Sequence, residues 1–147
     1  MASKSKQLDL GNKVEKEIGK FFKKNGYWCH ILQKKVSGQP VDIVAIKDNI
    51  NWLVDAKHLD KNKKSFDFSR IEPNQIDSLT YAKNHAGIKN LGFVICVGEE
   101  EEFSGDTFKG FFLHYDYFIE LREQGAKSVK LSVLEDFQEV LNKCELK

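Results

Sequence analysis

The chain has 147 residues, of which 41% are hydrophobic and 12% aromatic, with only two prolines. This length and composition predict a single globular domain over residues 1–147 and exclude an intrinsically disordered chain. No apolar run reaches bilayer-spanning length and the amino terminus has no apolar signal segment, so we expect no membrane partner. Three widely spaced cysteines are typical of free thiols in a reducing cytoplasm.

The net charge of +1 conceals an uneven distribution along the chain. Residues 1–70 hold 15 Lys and Arg against 8 Asp and Glu, a sum of +7. Residues 71–147 hold 8 against 14, a sum of −6, and the two sums give the total of +1. This asymmetry favours a polyanionic partner for the first half, although a solvated lysine-rich surface explains the charge equally well.

The first half of the chain predicts a helix followed by three strands. Residues 1–8 are expected to form a loose arm, and apolar side chains at helical spacing predict a helix from Leu10 to about Asn25. Gly26 then supplies a stop signal. Runs rich in aromatic and β-branched residues predict strands over Tyr27–Lys34, Val41–Lys47 and Ile50–Lys57.

The second half predicts further strands and helices after a long connection. The lysine-rich segment Leu59–Arg70 is polar, and connections of this length are often functional. A second helix is expected from Glu72-Pro73 to about His85. The remaining elements are strands at 91–97, 108–114 and 129–131 and helices at 115–122 and 134–143. This order predicts an α/β domain with a mixed central sheet flanked by helices.

The second and third predicted strands each carry one aspartate, Asp42 and Asp55. A two-residue turn at Asp48-Asn49 would pair Lys47 with Ile50 and place the aspartates directly opposite each other. Their Cβ atoms would then be about 4.5–5.5 Å apart, with Lys57 on the same face as Asp55. A slip of one residue in the pairing would put the two aspartates on opposite faces.

Two opposed carboxylates are destabilising unless a cation lies between them. Oxygen ligands without cysteine or histidine suit Mg²⁺, with Mn²⁺ as a possible substitute. Lys57 would then lie beside the metal, where an ammonium group can orient or help to deprotonate a water molecule or stabilise phosphorane charge. Carboxylates, a metal and a lysine favour phosphodiester hydrolysis, although Asp-X-Lys on a strand is common by chance.

Further polar residues on the two long helices are candidates for the same site. Glu15 and Glu17 both lie near the apolar stripe of the first helix, and periodicity does not decide which would be a third acidic ligand. Gln75, in the first turn of the second helix, could hold a phosphate or a water molecule. A solvated position is the ordinary alternative for each of these residues. The four histidines have no zinc-site spacing.

Four segments of the chain follow one another in an order typical of a nuclease superfamily. They are Gly11-Asn12-Lys13-Val14-Glu15, Ser37-Gly38-Gln39-Pro40-Val41-Asp42, Asp55-Ala56-Lys57, and Phe66-Asp67-Phe68 through Glu72-Pro73-Asn74-Gln75-Ile76. Together they resemble the PD-(D/E)XK superfamily and, within it, RecU-type Holliday junction resolvases and their phage relatives. The resemblance covers about residues 11–97. Asp55 stands where these resolvases more often have Glu, and the chain lacks their stalk insertion between the hairpin strands.

The resemblance implies an Mg²⁺-dependent endonuclease with a restriction-endonuclease-like αβββαβ core, acting as a homodimer on branched DNA in a bacterial, archaeal or phage-infected cell. It favours Glu15 over Glu17 as the metal ligand beside Asp42 and Asp55, with Lys57 handling water and Gln75 assisting. The expected DNA contacts are Ser37, Lys34, Lys35, Lys61, Lys63 and Lys64. The alternatives are a restriction- or repair-type endonuclease of the same fold and a catalytically silent nucleic-acid-binding protein.

Overall fold

A computed structural model describes residues 4–32, 41–98 and 109–145, with side chains described from 11 to 143 within these ranges. The helices are α1 (Lys4–Lys24), α2 (Pro73–Ala86), α3 (Tyr115–Glu123) and α4 (Phe137–Glu145). The strands are β1 (Trp28–Ile31), β2 (Ile43–Lys47), β3 (Ile50–Leu59), β4 (Ser65–Asp67), β5 (Asn90–Val97), β6 (Lys109–His114), β7 (Ser128–Lys130) and β8 (Glu135–Asp136). No helix within the described ranges is long and apolar enough to cross a membrane.

Six strands form one mixed sheet in the order β1-β2-β3-β5-β6-β8. The β3–β5 pair is parallel and the other neighbours are antiparallel, while β4 and β7 form a separate two-stranded sheet. The parallel pair requires a crossover, which α2 provides between β3 and β5. The predicted α/β fold with a mixed central sheet and flanking helices is confirmed.

The helices cover the two faces of this sheet with separate apolar cores. Val14, Ile18 and Phe22 recur at four-residue spacing, which gives α1 one fully buried stripe. This stripe packs with α4 against Trp52, whose ring lies 5.9 Å from that of Phe22, centroid to centroid. On the opposite face, α2 and α3 bury Leu79 and Phe118 against β5 and β6. We call these the α1 face and the α2 face.

The hairpin of β2 and β3 has the predicted register. Lys47 pairs with Ile50 and Ile43 with Val54, so the next position outward is Asp42 opposite Asp55. The turn lies at Asp48-Asn49, and Asp48 adopts the left-handed region with φ of 53°. Leu53 belongs to the core of the α2 face, and strand alternation puts Asp55 and Lys57 on that face too.

The structure corrects the sequence prediction at three places. Helix α1 begins at Lys4, so the expected loose arm over residues 1–8 is helical from that residue onward. The expected connection Leu59–Arg70 contains β4 and a short 3₁₀ helix, Phe68–Arg70. The last helix begins at Phe137, because Glu135–Asp136 forms an edge strand against β6. Both missed strands pair with distant segments, as Phe66 does with Val129, so local patterns do not reveal them.

Candidate active site

Each of the two aspartate carboxylates accepts a hydrogen bond from a main-chain N–H group on the other side of the hairpin. The Asp42 N–H donates to Asp55 Oδ1 at 3.1 Å, and the Ala56 N–H donates to Asp42 Oδ2 at 2.9 Å. The Leu32 N–H donates to the Asp42 carbonyl oxygen at 2.9 Å, which ties the end of β1 to the same point. Because backbone donors favour the ionised carboxylates, this arrangement offsets part of the repulsion between two neighbouring negative charges. Asp55 is only 2% exposed, so its carboxylate is held in a fixed position.

Lys57 lies on the same face of β3 as Asp55 and is half-buried. Its Nζ donates to the Arg70 carbonyl oxygen and to Gln75 Oε1, both at 3.0 Å. Burial lowers the pKa of Lys57 below its usual value, while the negative charges of Asp55 and then Asp42 act in the opposite direction. Two neutral acceptors therefore hold the amine, on the same face of the sheet as Asp55.

Gln75 reaches the site because the start of α2 fixes its side chain. Its Oε1 accepts the Glu72 N–H at 3.0 Å in addition to the Lys57 ammonium group. Pro73 occupies the first helical position, where its fixed φ and missing N–H suit a helix start. The structure thus brings Gln75, one of the predicted site residues, into hydrogen-bond contact with Lys57, and its role in a site stays a prediction.

Glu15 and Glu17 are both buried on α1, at 6% and 4% exposure. Glu17 accepts a hydrogen bond from Lys20 Nζ at 2.8 Å and is near Cys96, whose pKa it helps to raise after the larger effect of burial. One turn after Glu15, α1 lies against β1, since a Cβ on Gly19 would be 3.2 Å from Ile31 Cδ1. This contact places Gly19 of α1 against β1. The metal-ligand role of Glu15 stays a prediction.

The donor chemistry of the aspartate pair fits Mg²⁺ or Mn²⁺. In the part of the chain that the structure describes, no three His, Cys, Asp or Glu side chains are close enough together to hold a metal ion. Mg²⁺ is commonly bound through one or two carboxylates, with water and substrate phosphate oxygens completing its octahedron. Asp42 and Asp55 supply two hard oxygen ligands of this kind on one face of the sheet.

The predicted DNA-binding lysines of the β3–β4 connection surround two adjoining cavities. A cavity of about 650 Å³ is lined by Lys63, Lys64 and Arg70, and one of about 610 Å³ by Lys61, Lys63 and Lys64. Arg70 links this surface to the site, because its carbonyl oxygen accepts the Lys57 hydrogen bond. Lys34, Lys35 and Ser37, the other predicted DNA contacts, lie outside the described residues.

Sequence reasoning missed three residues of this region: Arg70, Lys109 and Lys130. Arg70 belongs to the connection that was predicted to be functional, but no motif singled it out. Lys109 and Lys130 line the 610 Å³ cavity from β6 and β7, far along the chain from Lys63. Only tertiary pairing brings them together, so no spacing in the sequence could have indicated them.

An exposed aromatic surface continues the α2 face beyond the aspartates, towards the β1 edge. Trp28 is 62% exposed and stacks on His30, with ring centroids 6.1 Å apart and planes inclined by 9°. Ile46, which pairs with Trp28 across the strands, is also exposed. This surface adjoins the aspartate pair, because His30 pairs with Val44, two residues from Asp42. Flat exposed rings of this kind can stack on nucleic-acid bases.

Comparison with known proteins supports the fold. No protein-family model matches the chain, and no curated protein sequence matches it. Among solved structures, it is similar to Hjc, a Holliday junction resolvase from the archaeal hyperthermophile Archaeoglobus fulgidus. The TM-score is 0.56 at 15% sequence identity, and the match covers 89% of this chain and 99% of that one. At this identity the similarity establishes a shared fold.

Proposed function

We propose that the protein is an Mg²⁺-dependent DNA endonuclease that hydrolyses phosphodiester bonds. The observation that carries the proposal is the Asp42–Asp55 pair, held by reciprocal main-chain hydrogen bonds, with the Lys57 amine beside it. Three elements fix these groups in place: the β2–β3 hairpin, the 3₁₀ turn at Arg70 and the start of α2. Such positioning on regular structure is what a hydrolytic site requires.

Asp42 and Asp55 would hold the metal ion, whereas Glu15, the third acidic ligand that the resemblance implies, does not form a three-carboxylate group with them in the described part of the chain. A bound Mg²⁺ supplies Lewis-acid stabilisation of phosphate charge and lowers the pKa of a coordinated water molecule. Lys57 would orient the attacking water or stabilise negative charge on the phosphate, and Gln75 holds the Lys57 amine in position for either role. The Arg70 carbonyl oxygen accepts a second hydrogen bond from the same amine.

The substrate we propose is branched DNA, and specifically a four-way junction cut by a homodimer. The similarity to Hjc, whose name describes it as a Holliday junction resolvase, supports this choice over an ordinary duplex. The exposed Trp28–His30 stack and the lysines of the β3–β4 connection lie on either side of the aspartate pair on the α2 face. A surface with both stacking and cationic groups suits DNA that has unpaired bases near a backbone.

The proposal is tested by incubating the protein with a four-way junction, a linear duplex and a single strand, in Mg²⁺, Mn²⁺ or EDTA. We expect paired, symmetry-related nicks in the junction with either metal and none in EDTA. Asp55→Asn should lower the cleavage rate by about 100-fold or more, because it removes a metal ligand while preserving shape. Asp77→Asn is the matched control, since Asp77 is exposed on α2.

Three outcomes would contradict parts of the proposal. Equal cleavage by wild type and Asp55→Asn would reject the assigned site. Cleavage confined to a short duplex sequence would reject the junction substrate while keeping the nuclease. Absence of cleavage of every substrate with either metal would reject the nuclease activity itself.

A further inference from the structure

The 610 Å³ cavity brings five lysines against an apolar wall. Lys61, Lys63 and Lys64 come from the β3–β4 connection, Lys109 from the start of β6 and Lys130 from the end of β7. Val97, Phe111 and Leu131 form the apolar part of its lining, and among the described residues no aspartate or glutamate lines it. A cavity of this volume is in the range that holds small organic ligands in proteins.

Four of the five cavity lysines have no ion-pair partner among the described residues. Within 4–32, 41–98 and 109–145, Lys63, Lys64, Lys109 and Lys130 form no side-chain ion pair. Like charges gathered from separate elements repel one another and weaken the fold. A bound polyanion such as a phosphate chain would relieve this repulsion, and lysine binds phosphate as a compact point charge.

The apolar side indicates that the ligand also has a flat apolar part. Phe111 is half-buried, and it shares the α2 face of β6 with Lys109, which pairs with Val97 of β5. Phosphate on lysines and a ring against phenylalanine is the combination found in a nucleotide. Base stacking on an aromatic side chain is tolerant of sequence, because every base has a π-face.

The cavity and the candidate active site are linked by residues that pair directly across neighbouring strands of the sheet. Lys57 pairs with Ile95 of β5, and Ile95 pairs with Phe111 of β6, so Phe111 is two strands from Lys57 on the α2 face. Two strand spacings correspond to about 10 Å. The two cavities also share Lys63, Lys64 and Ser65, which makes a continuous surface from Arg70 to Lys130.

We propose that this cavity is a nucleotide-binding site, with phosphate on the lysines and the base against Phe111 and Leu131. The nucleotide has two possible sources: an unpaired nucleotide of a DNA strand, or a free nucleoside phosphate. Only the DNA source rests on the proposed nuclease function, since binding requires neither the metal nor cleavage.

The test measures binding in EDTA, so that cleavage plays no part. The probes are a short fluorescent oligo(dT), ATP and inorganic triphosphate, which carries the phosphates without a base. The variants are Lys109→Gln/Lys130→Gln and Phe111→Leu. The second keeps an apolar side chain but removes the ring. Lys89→Gln/Lys127→Gln is the matched control, because both lysines are exposed and neither lines this cavity.

We expect the lysine pair variant to raise the Kd of the bound nucleotide probe by about tenfold or more and the control to leave it unchanged. Phe111→Leu should raise the same Kd by about tenfold while leaving the Kd of inorganic triphosphate unaltered. Displacement of the oligonucleotide by ATP identifies a free nucleoside phosphate, whereas cavity-dependent oligonucleotide binding that ATP does not displace identifies the DNA strand.

Two results overturn the proposal. In one, no probe's Kd responds to the lysine pair variant. In the other, inorganic triphosphate binds as tightly as ATP and Phe111→Leu leaves the Kd of every probe unchanged, so the cavity binds anions without recognising a base. A protein that cleaves junctions but fails this binding test would retain the proposed function and lose only the nucleotide site.

Discussion

The Lys57 amine is subject to opposing electrostatic effects that its neighbours determine. Burial favours the neutral amine, and the charges of Asp55 and Asp42 favour the ammonium ion. Two neutral oxygen acceptors, the Arg70 carbonyl and Gln75 Oε1, also stabilise the ammonium ion, since each accepts a hydrogen bond from one of its N–H groups. The balance leaves the pKa below the usual lysine value, so changing Gln75 should shift it in a defined direction.

Gln75→Glu should raise the pKa of Lys57, because it replaces a neutral acceptor at 3.0 Å with a carboxylate. Gln75→Met should lower it further, because it removes the acceptor and keeps the burial. If the ammonium ion is the active form, the alkaline limb of the cleavage rate moves to higher pH in the first variant and lower pH in the second. NMR titration of the lysine side chain gives the pKa directly, and unchanged values in both variants would contradict the assigned contact.

A second residue-scale prediction concerns the core of the α1 face. Trp52 is 1% exposed, and its Nε1 donates to the Tyr27 hydroxyl at 3.2 Å. Tyr27→Phe removes this acceptor and leaves a buried N–H unsatisfied, which should lower the free energy of unfolding by about 1–3 kcal/mol. Tyr81→Phe is the control, because Tyr81 is 66% exposed. Urea denaturation compares the two, and an equal effect would show that the hydrogen bond contributes nothing to stability.

The arrangement of the site residues could be predicted from the sequence to different degrees. The register of Asp42 and Asp55 followed from a two-residue turn, which fixes strand pairing locally. The helix start at Pro73 was predicted, and it places Gln75 in the first turn of α2, where its side chain contacts Lys57. The main-chain donors to the two carboxylates could not be predicted, because Asp42 precedes the ladder of β2 and only the folded backbone brings the Ala56 N–H to it.

At the scale of elements, helices and hairpins were predictable where their stabilising contacts are local or periodic. The stripe of α1 appears every four residues, and the stop at Gly26 fits its positive φ of 85°. The short strands β4 and β8 have no such pattern, since only three and two residues contribute. Their position depends on partners 60 residues and more than 20 residues away, β7 and β6.

Strand β5 depends on a glycine where β6 approaches its backbone. Gly92 has φ of 155°, and a Cβ there would lie 2.2 Å from the Leu113 carbonyl oxygen. Gly92→Ala should therefore destabilise the protein by about 3 kcal/mol or more, because the backbone of β6 must move. The opposite sign is expected for Gly11→Ala at an exposed position of helix α1, where nothing lies within 4 Å and alanine gains about 0.5–1 kcal/mol. Thermal unfolding of both variants checks the pair, and a stable Gly92→Ala protein would contradict the close approach.

At the scale of the whole molecule, the fold redistributes the charge that chain order suggests. The first 70 residues sum to +7 and the remainder to −6, which implies that cationic surface belongs to the first half. Lys109 and Lys130 belong to the acidic half, yet they line one cavity with Lys63 and Lys64. Helix α1 covers the α1 face of the sheet and carries Lys13 and Lys16 on its exposed side, away from the α2 face. Sequence charge therefore indicated a polyanion partner without showing which side would receive it.

If the protein binds DNA as proposed, this arrangement predicts which lysines determine the salt dependence of that binding. Each phosphate that a lysine neutralises releases counterions, and the slope of log K against log salt is about −0.9 per contact for duplex DNA. Lys63→Gln/Lys64→Gln should weaken binding to every DNA sequence and make the slope shallower by about 2. Lys13→Gln/Lys16→Gln changes the net charge equally but alters the other side of the sheet, so its slope should equal that of the wild type. Fluorescence anisotropy with a four-way junction over a series of salt concentrations, in EDTA, measures all three proteins. Equal slopes for the two double variants would mean that DNA does not lie along the α2 face, whatever the chemistry of Asp42, Asp55 and Lys57.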